Sequence, residues 1–132
     1  MPWAEIFVVF VVSHLFGDYL LQTDWQAMNK HGGLNGTRTQ RLALASHIAT
    51  YTLAYVPCFI WLWDSDRGWV FVLAAVIATP HYIQDDGRAL AAYARNFKKA
   101  DIKAVPSLGA ALDQSFHLIA LFFTALLAHG LA

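Results

Sequence analysis

Four apolar stretches, at residues 3–22, 42–63, 69–85 and 108–130, alternate with polar connections along the chain. A helix needs about 20 mostly apolar residues to cross roughly 30 Å of hydrocarbon. The 22 residues 42–63 carry no formal charge and meet that requirement unaided. The other three meet it if the polar groups at their ends face one another inside a bundle. Helices of a water-soluble bundle would show a polar stripe every three to four residues. Residues 8–12, 59–63, 70–78 and 118–128 show none. The pattern predicts an all-α fold: a single integral membrane domain over residues 1–132, built as a four-transmembrane-helix bundle. Residues 23–30 read as a short interfacial helix ended by Gly32 and Gly33, with Asn35-Gly36 as a turn. Residues 89–103 read as a basic amphipathic segment lying along the lipid surface. Pro57 and Pro80 are expected to bend the second and third crossings.

Composition agrees. The chain is 58% hydrophobic and 14% charged, against roughly 45–50% and about 25% for an ordinary soluble domain. Nine Lys and Arg balance nine Asp and Glu, so no bulk charge draws the chain to nucleic acid. The lone cysteine, Cys58, lies in an apolar run and reads as a small buried hydrophobe. With Glu5 near the start and no basic segment before the first apolar run, the pattern differs from a cleaved signal peptide.

The basic residues set an orientation. Lys30, Arg38 and Arg41 lie between the first two crossings, and Arg88, Arg95, Lys98, Lys99 and Lys103 between the last two; the remaining connection has only Arg67. Both long connections are therefore expected in the cytoplasm and both termini outside, in a bacterial inner membrane. Trp3, Trp61, Trp63 and Trp69 would then gather at the outer interface.

Ionisable residues inside the crossings are the unusual feature. His14 and Asp18, His81 and Asp85, and Asp113 and His117 are each spaced i, i+4, as are His47 and Tyr51. That spacing puts both side chains on one helix face about 6 Å apart along the axis. With alternating helix directions, all four crossings carry these groups toward the cytoplasmic end, each His deeper than its Asp. A charge in hydrocarbon costs about 2.5–3.5 kcal/mol on insertion scales, so the groups are expected to face one another. A divalent metal, whether zinc, iron or manganese and whether one ion or two, satisfies them together. His14, Asp18, His47, His81, Asp85 and His117 are the candidate ligands, with Gln22, Tyr51 and Gln114 as hydrogen-bonding support. Loss of metal in acid is expected, because imidazole ligands must be deprotonated. His31 and His129 lie outside this set.

The string from His14 through Asp18 to Gln22, followed by Trp25, Lys30, His47, His81, Asp85, Asp113, Gln114 and His117, resembles domain-of-unknown-function family 3307, small integral membrane proteins of bacteria and phages. The chain is similar, more distantly, to membrane-bound metal-dependent hydrolases with His and Asp at the ends of transmembrane helices. That second likeness implies hydrolysis by analogy. Where such proteins often continue H-x-x-x-D with Tyr and Lys, this chain has Asp85-Asp86-Gly87-Arg88.

Two readings follow. In the first, the protein is a metal-dependent hydrolase acting on a lipid or lipid-linked substrate from the cytoplasmic leaflet. A metal would lower the pKa of water bound to it to about 7 and polarise a phosphoryl or carbonyl oxygen. Asp18 and Asp113 would be the catalytic carboxylates, each ligand or base, and Lys30 and Arg88 would hold an anionic head group. In the second, the cluster stabilises a non-catalytic module that is structural or binds a partner. Ion passage fits less well, because the outer halves of the crossings offer almost no polar groups. A bundle of four short helices leaves room for a homo-oligomer or a membrane partner subunit.

Overall fold

The computed structural model describes residues 1–66 and 68–131, and every regular element among them is helical. Arg67, counted above in the weakly basic connection, lies outside the described residues. Helix α1 (Trp3–Leu15) runs into a π turn at Phe16–Leu20. Helix α2 (Asp24–Asn29) is opened by a capping box in which Thr23 accepts from the Gln26 N–H and Gln26 reaches back to the Thr23 N–H. The apolar stretch at 42–63 is two helices. Helix α3 (Arg38–Leu53) starts ahead of the apolar pattern because Thr37 and Gln40 form a second capping box. Helix α4 (Val56–Asp66) follows a break at residues 54–55, with Pro57 in its first turn, where a missing N–H costs little. Helix α5 (Val70–Asp85) continues through Pro80. Helix α6 (Arg88–Tyr93) ends in a π turn at Ala94–Lys98, and α7 (Pro106–Leu131) is the longest, with Pro106 at its first position.

The long helices close a ring. Helix α7 packs on α1 and α5, α5 packs on α3, and α3 packs on the π turn after α1. One half of the ring encloses an apolar core of Ile6, Phe10, Tyr55, Cys58, Leu62, Leu73, Ile77, Leu121 and Ala125 among others. The buried histidines begin one helical turn beyond it: His14 follows Phe10, His81 follows Ile77, and His117 precedes Leu121, each by four residues. The ring is apolar on its outside as well. Val12 is 61% exposed, Ile60 70%, Phe71 74% and Phe123 63%, a pattern that would be an aggregation hazard in water. Trp3, Trp61, Trp63 and Trp69 are also exposed. Three stretches are long and apolar enough to cross a membrane: Trp3–Leu20, Arg38–Trp63 and Pro106–Leu131. Helix α5 has 16 residues and so reaches about 24 Å, short of the ~30 Å hydrocarbon core.

Candidate metal centre

The centre is assembled from the ends of four helices. Asp18 enters from the π turn, and such turns often mark functional positions because they re-aim a side chain within a helix. Gly17 makes the approach possible. A Cβ there would lie 3.0 Å from Tyr51 Cδ2, 3.1 Å from Ala54 Cβ and 3.2 Å from Tyr51 Cα, so a side chain would force these neighbours to give by a few tenths of an ångström. His47 comes from α3, His81 and Asp85 from α5, and Asp113 and His117 from α7.

Four ligand atoms converge. His47 Nε2 lies 3.2 Å from Asp18 Oδ1, 2.8 Å from Asp85 Oδ2 and 3.1 Å from His81 Nε2. His81 Nε2 lies 3.7 Å from Asp18 Oδ1 and 3.3 Å from Asp85 Oδ2. A tetrahedral ion with bonds of about 2.0–2.1 Å holds its ligand atoms about 3.3 Å apart, and these separations scatter around that edge. Hydrogen bonds alone serve the set poorly. Both Nε2 atoms need a proton to face carboxylates, yet they also face each other, and two N–H groups in contact repel. Asp18 Oδ1 is buried without a hydrogen-bond partner, as are His117 Nε2 and the Nδ1 atoms of His47 and His81. A cation among the four atoms relieves the first of these; no group among the described residues satisfies the two Nδ1 atoms.

His14 stands beside this set. Its Nδ1 lies 3.0 Å from the Tyr51 hydroxyl and its Nε2 2.9 Å from Gln114 Oε1. Because Oε1 can only accept, Nε2 carries the proton and Nδ1 accepts from Tyr51. The Tyr55 hydroxyl, 2.7 Å away, then donates to Tyr51, and the Gln114 amide donates to Asp18 Oδ2 and Asp113 Oδ2. The network orients Asp18 from behind, and His14, predicted as a ligand, has no free nitrogen to offer. Tyr51 also stacks on His81, with ring centroids 3.5 Å apart and 5° between planes. Tyr55 was not predicted, although its i, i+4 spacing from Tyr51 was legible.

The two cations expected to meet a substrate are both engaged. Lys30 is buried, and its ammonium donates to Asp85 Oδ2 at 2.8 Å and Gln22 Oε1 at 2.6 Å. Arg88 is held by Asp86 and by Asn35 Oδ1. Asp86, which reads from sequence as an interfacial residue, is buried and clamps the loop that carries Lys30. It accepts from the Leu34 N–H at 2.9 Å, and its own carbonyl accepts from the Gly32 N–H at 2.9 Å. Burial pushes its carboxyl pKa up, but the Arg88 guanidinium and the Leu34 N–H outweigh this and hold it below the ordinary carboxylate value. Its contribution to stability is therefore complete above about pH 4 and is lost as the pH falls further. Asp86→Ala is expected to cost roughly 1–2 kcal/mol, with the difference from wild type shrinking in acid; unfolding followed across pH in detergent checks it.

A cleft of about 1380 Å³ opens onto the centre, lined by Lys30, Asp85 and Asp113 and by Arg95, Lys99 and Lys103. The last three make no ion pair among the described residues. Lys99, at φ 53°, is the one non-glycine residue with a left-handed backbone among the described residues, a strained conformation that tends to persist at functional sites.

Fold and site together define an all-helical protein, among the described residues, with three apolar helical stretches of membrane-spanning length and a buried His–Asp cluster. Residues 6–131 match the family model described as a protein of unknown function, DUF3307, and the chain belongs to that family. Neither the comparison with curated proteins nor that with solved structures finds a match.

Proposed function

We propose that this protein is an integral membrane, metal-dependent hydrolase acting on a phosphate-bearing lipid or lipid-linked substrate at the cytoplasmic leaflet. The observation that carries the reading is the four-atom set of Asp18, His47, His81 and Asp85 at tetrahedral spacing, next to a cleft lined by Arg95, Lys99 and Lys103. In this reading α5 is the fourth crossing, completed by Trp69 and by the polar cluster at its inner end. Eight basic residues in the two long connections support a cytoplasmic placement for both, with the termini outside. Arg95, Lys99 and Lys103 take the anionic head group, the role predicted for Lys30 and Arg88. Lys30 instead balances Asp85, and Gln114 with His14 holds Asp18. A divalent ion at the set supplies Lewis acidity toward a phosphoryl or carbonyl oxygen. Asp113, half-buried on the cleft wall, is the carboxylate placed to meet the attacking water.

Complete burial of His47 and near-complete burial of His81 favour a second reading, a structural ion in a non-catalytic module, since structural sites are closed. Elemental analysis of protein purified without chelator decides first: at least one divalent ion per chain is expected, and less than about 0.1 sinks both readings. Turnover of phosphatidic acid and isoprenyl phosphates decides next. Asp113→Asn is expected to keep the ion at the Asp18, His47, His81 and Asp85 set and lower turnover about 10²–10⁴-fold. A loaded, folded protein inert on the whole panel selects the structural reading.

A further inference from the structure

We propose that the cluster is built for two metal ions, with Asp85 bridging them; this rests on the metal reading above and deepens it. The two oxygens of Asp85 face different partners. Oδ2 faces His47 Nε2 at 2.8 Å and His81 Nε2 at 3.3 Å, whereas Oδ1 faces His117 Nε2 at 3.4 Å. Two groups of ligand atoms result, each converging within 4.8 Å: Asp18, His47, His81 and Asp85 in one, and Asp85, Asp113 and His117 in the other. Asp85 is the member they share.

The tautomer of His117 makes the second position specific. Its Nδ1 lies 2.7 Å from the backbone carbonyl of Asp113. A carbonyl only accepts, so Nδ1 carries a proton, and a neutral ring then presents a bare lone pair at Nε2. That atom is buried, has no hydrogen-bond partner and points at a carboxylate oxygen. Two lone pairs facing each other at 3.4 Å repel unless a proton or a metal ion lies between them, and the spacing again matches a tetrahedral edge of about 3.3 Å. An imidazole that donates its other N–H to a backbone carbonyl is also the usual arrangement of a metal-binding histidine.

The two positions differ in kind. The first has four protein atoms and is closed, as structural sites are; the second has three protein groups, the usual number where a position is left for substrate. Asp85 and Asp113 both line the cleft, so the open position shares it with Arg95, Lys99 and Lys103. Charge points the same way. Three carboxylates and Lys30 sum to −2, two divalent ions bring the centre to +2, and a phosphate monoester dianion offsets that.

Manganese loading of the purified full chain in detergent tests the proposal. Two Mn²⁺ per chain are expected, with a spin-coupled low-temperature electron paramagnetic resonance spectrum. His117→Ala is expected to bind one Mn²⁺ with an uncoupled six-line spectrum and an unchanged first affinity. Asp113→Asn, should His117→Ala fail to fold, is expected to weaken the second ion at least tenfold and spare the first. One uncoupled ion in the wild type, or two coupled ions in a folded His117→Ala variant, overturns the two-ion centre. In the first case the single-ion reading survives; no bound ion at all removes both. Adding inorganic phosphate or a phosphatidic acid micelle to the loaded protein separates the sources of the dianion: a perturbed spectrum with the lipid alone assigns the cleft to lipid, and with both to the phosphate group itself.

Discussion

Asp85→Asn is expected to abolish metal binding and to destabilise the folded protein by about 3–5 kcal/mol, the cost of breaking a buried ion pair by removing one partner. The asparagine keeps the shape and removes the charge. Lys30 would be left with its side chain 11% exposed and Gln22 to receive its ammonium, and His47, His81 and His117 would lose their common anionic neighbour. The stability loss and the metal loss have separate causes, and a second substitution separates them. Lys30→Met combined with Asp85→Asn removes the stranded charge, so most of the stability should return while the metal content stays at zero. Thermal unfolding in detergent beside elemental analysis measures both. A single variant that melts within 1 kcal/mol of wild type, or that retains its metal, contradicts the placement of Asp85 at the hub.

The i, i+4 pairs were legible because helical spacing is a local property. His81 with Asp85 and Asp113 with His117 needed only the period of the helix and the cost of isolated charge among apolar residues. What the pattern could not supply was the direction of each ring nitrogen. His14 has the same spacing to Asp18 as His81 to Asp85, yet Tyr51 and Gln114 take both its nitrogens. That difference arises from neighbours 37 and 100 positions away along the chain, which no local period encodes. Lys30 shows the same limit. It sits in a polar connection, where a solvated cation is the ordinary expectation, yet its ammonium is engaged by Asp85 and Gln22, and Asp86 clamps residues 32–34 beside it.

The helix boundaries show the same division. Both capping boxes were written in the sequence as Thr-x-x-Gln, and α3 begins where its box dictates rather than where its apolar residues do. The break at residues 54–55 and the π turn at Phe16–Leu20 have no such signature; they lie where the π turn meets α3, with Gly17 against Tyr51 and Ala54. These two irregularities also matter to the site, since the π turn carries Asp18 and the break follows the helix that carries Tyr51 and His47. A strictly regular first helix would rotate Asp18 relative to His14, because a π turn adds a residue to the helical period.

Gly17 tests that dependence. Gly17→Leu is expected to prevent the π turn from reaching α3, because even the first carbon of the side chain would meet Tyr51 and Ala54 at 3.0–3.2 Å. Gly17→Ala is the informative variant. Overpacking of this size costs about 1–3 kcal/mol, and the shift it forces is transmitted to the next residue, Asp18, and to Tyr51, which stacks on His81. Metal affinity should fall about 10–100-fold, the range for changes in the groups that support ligands, while His47, His81 and Asp85 stay in place. Combining Gly17→Ala with Ala54→Gly relieves one of the three contacts, so part of the affinity should return, whereas the contacts with Tyr51 keep the recovery incomplete. Competitive metal titration against a chelator of known affinity resolves these steps. An unchanged affinity in Gly17→Ala, with the protein folded, would mean that Asp18 is not held in the centre by the approach of the π turn to α3.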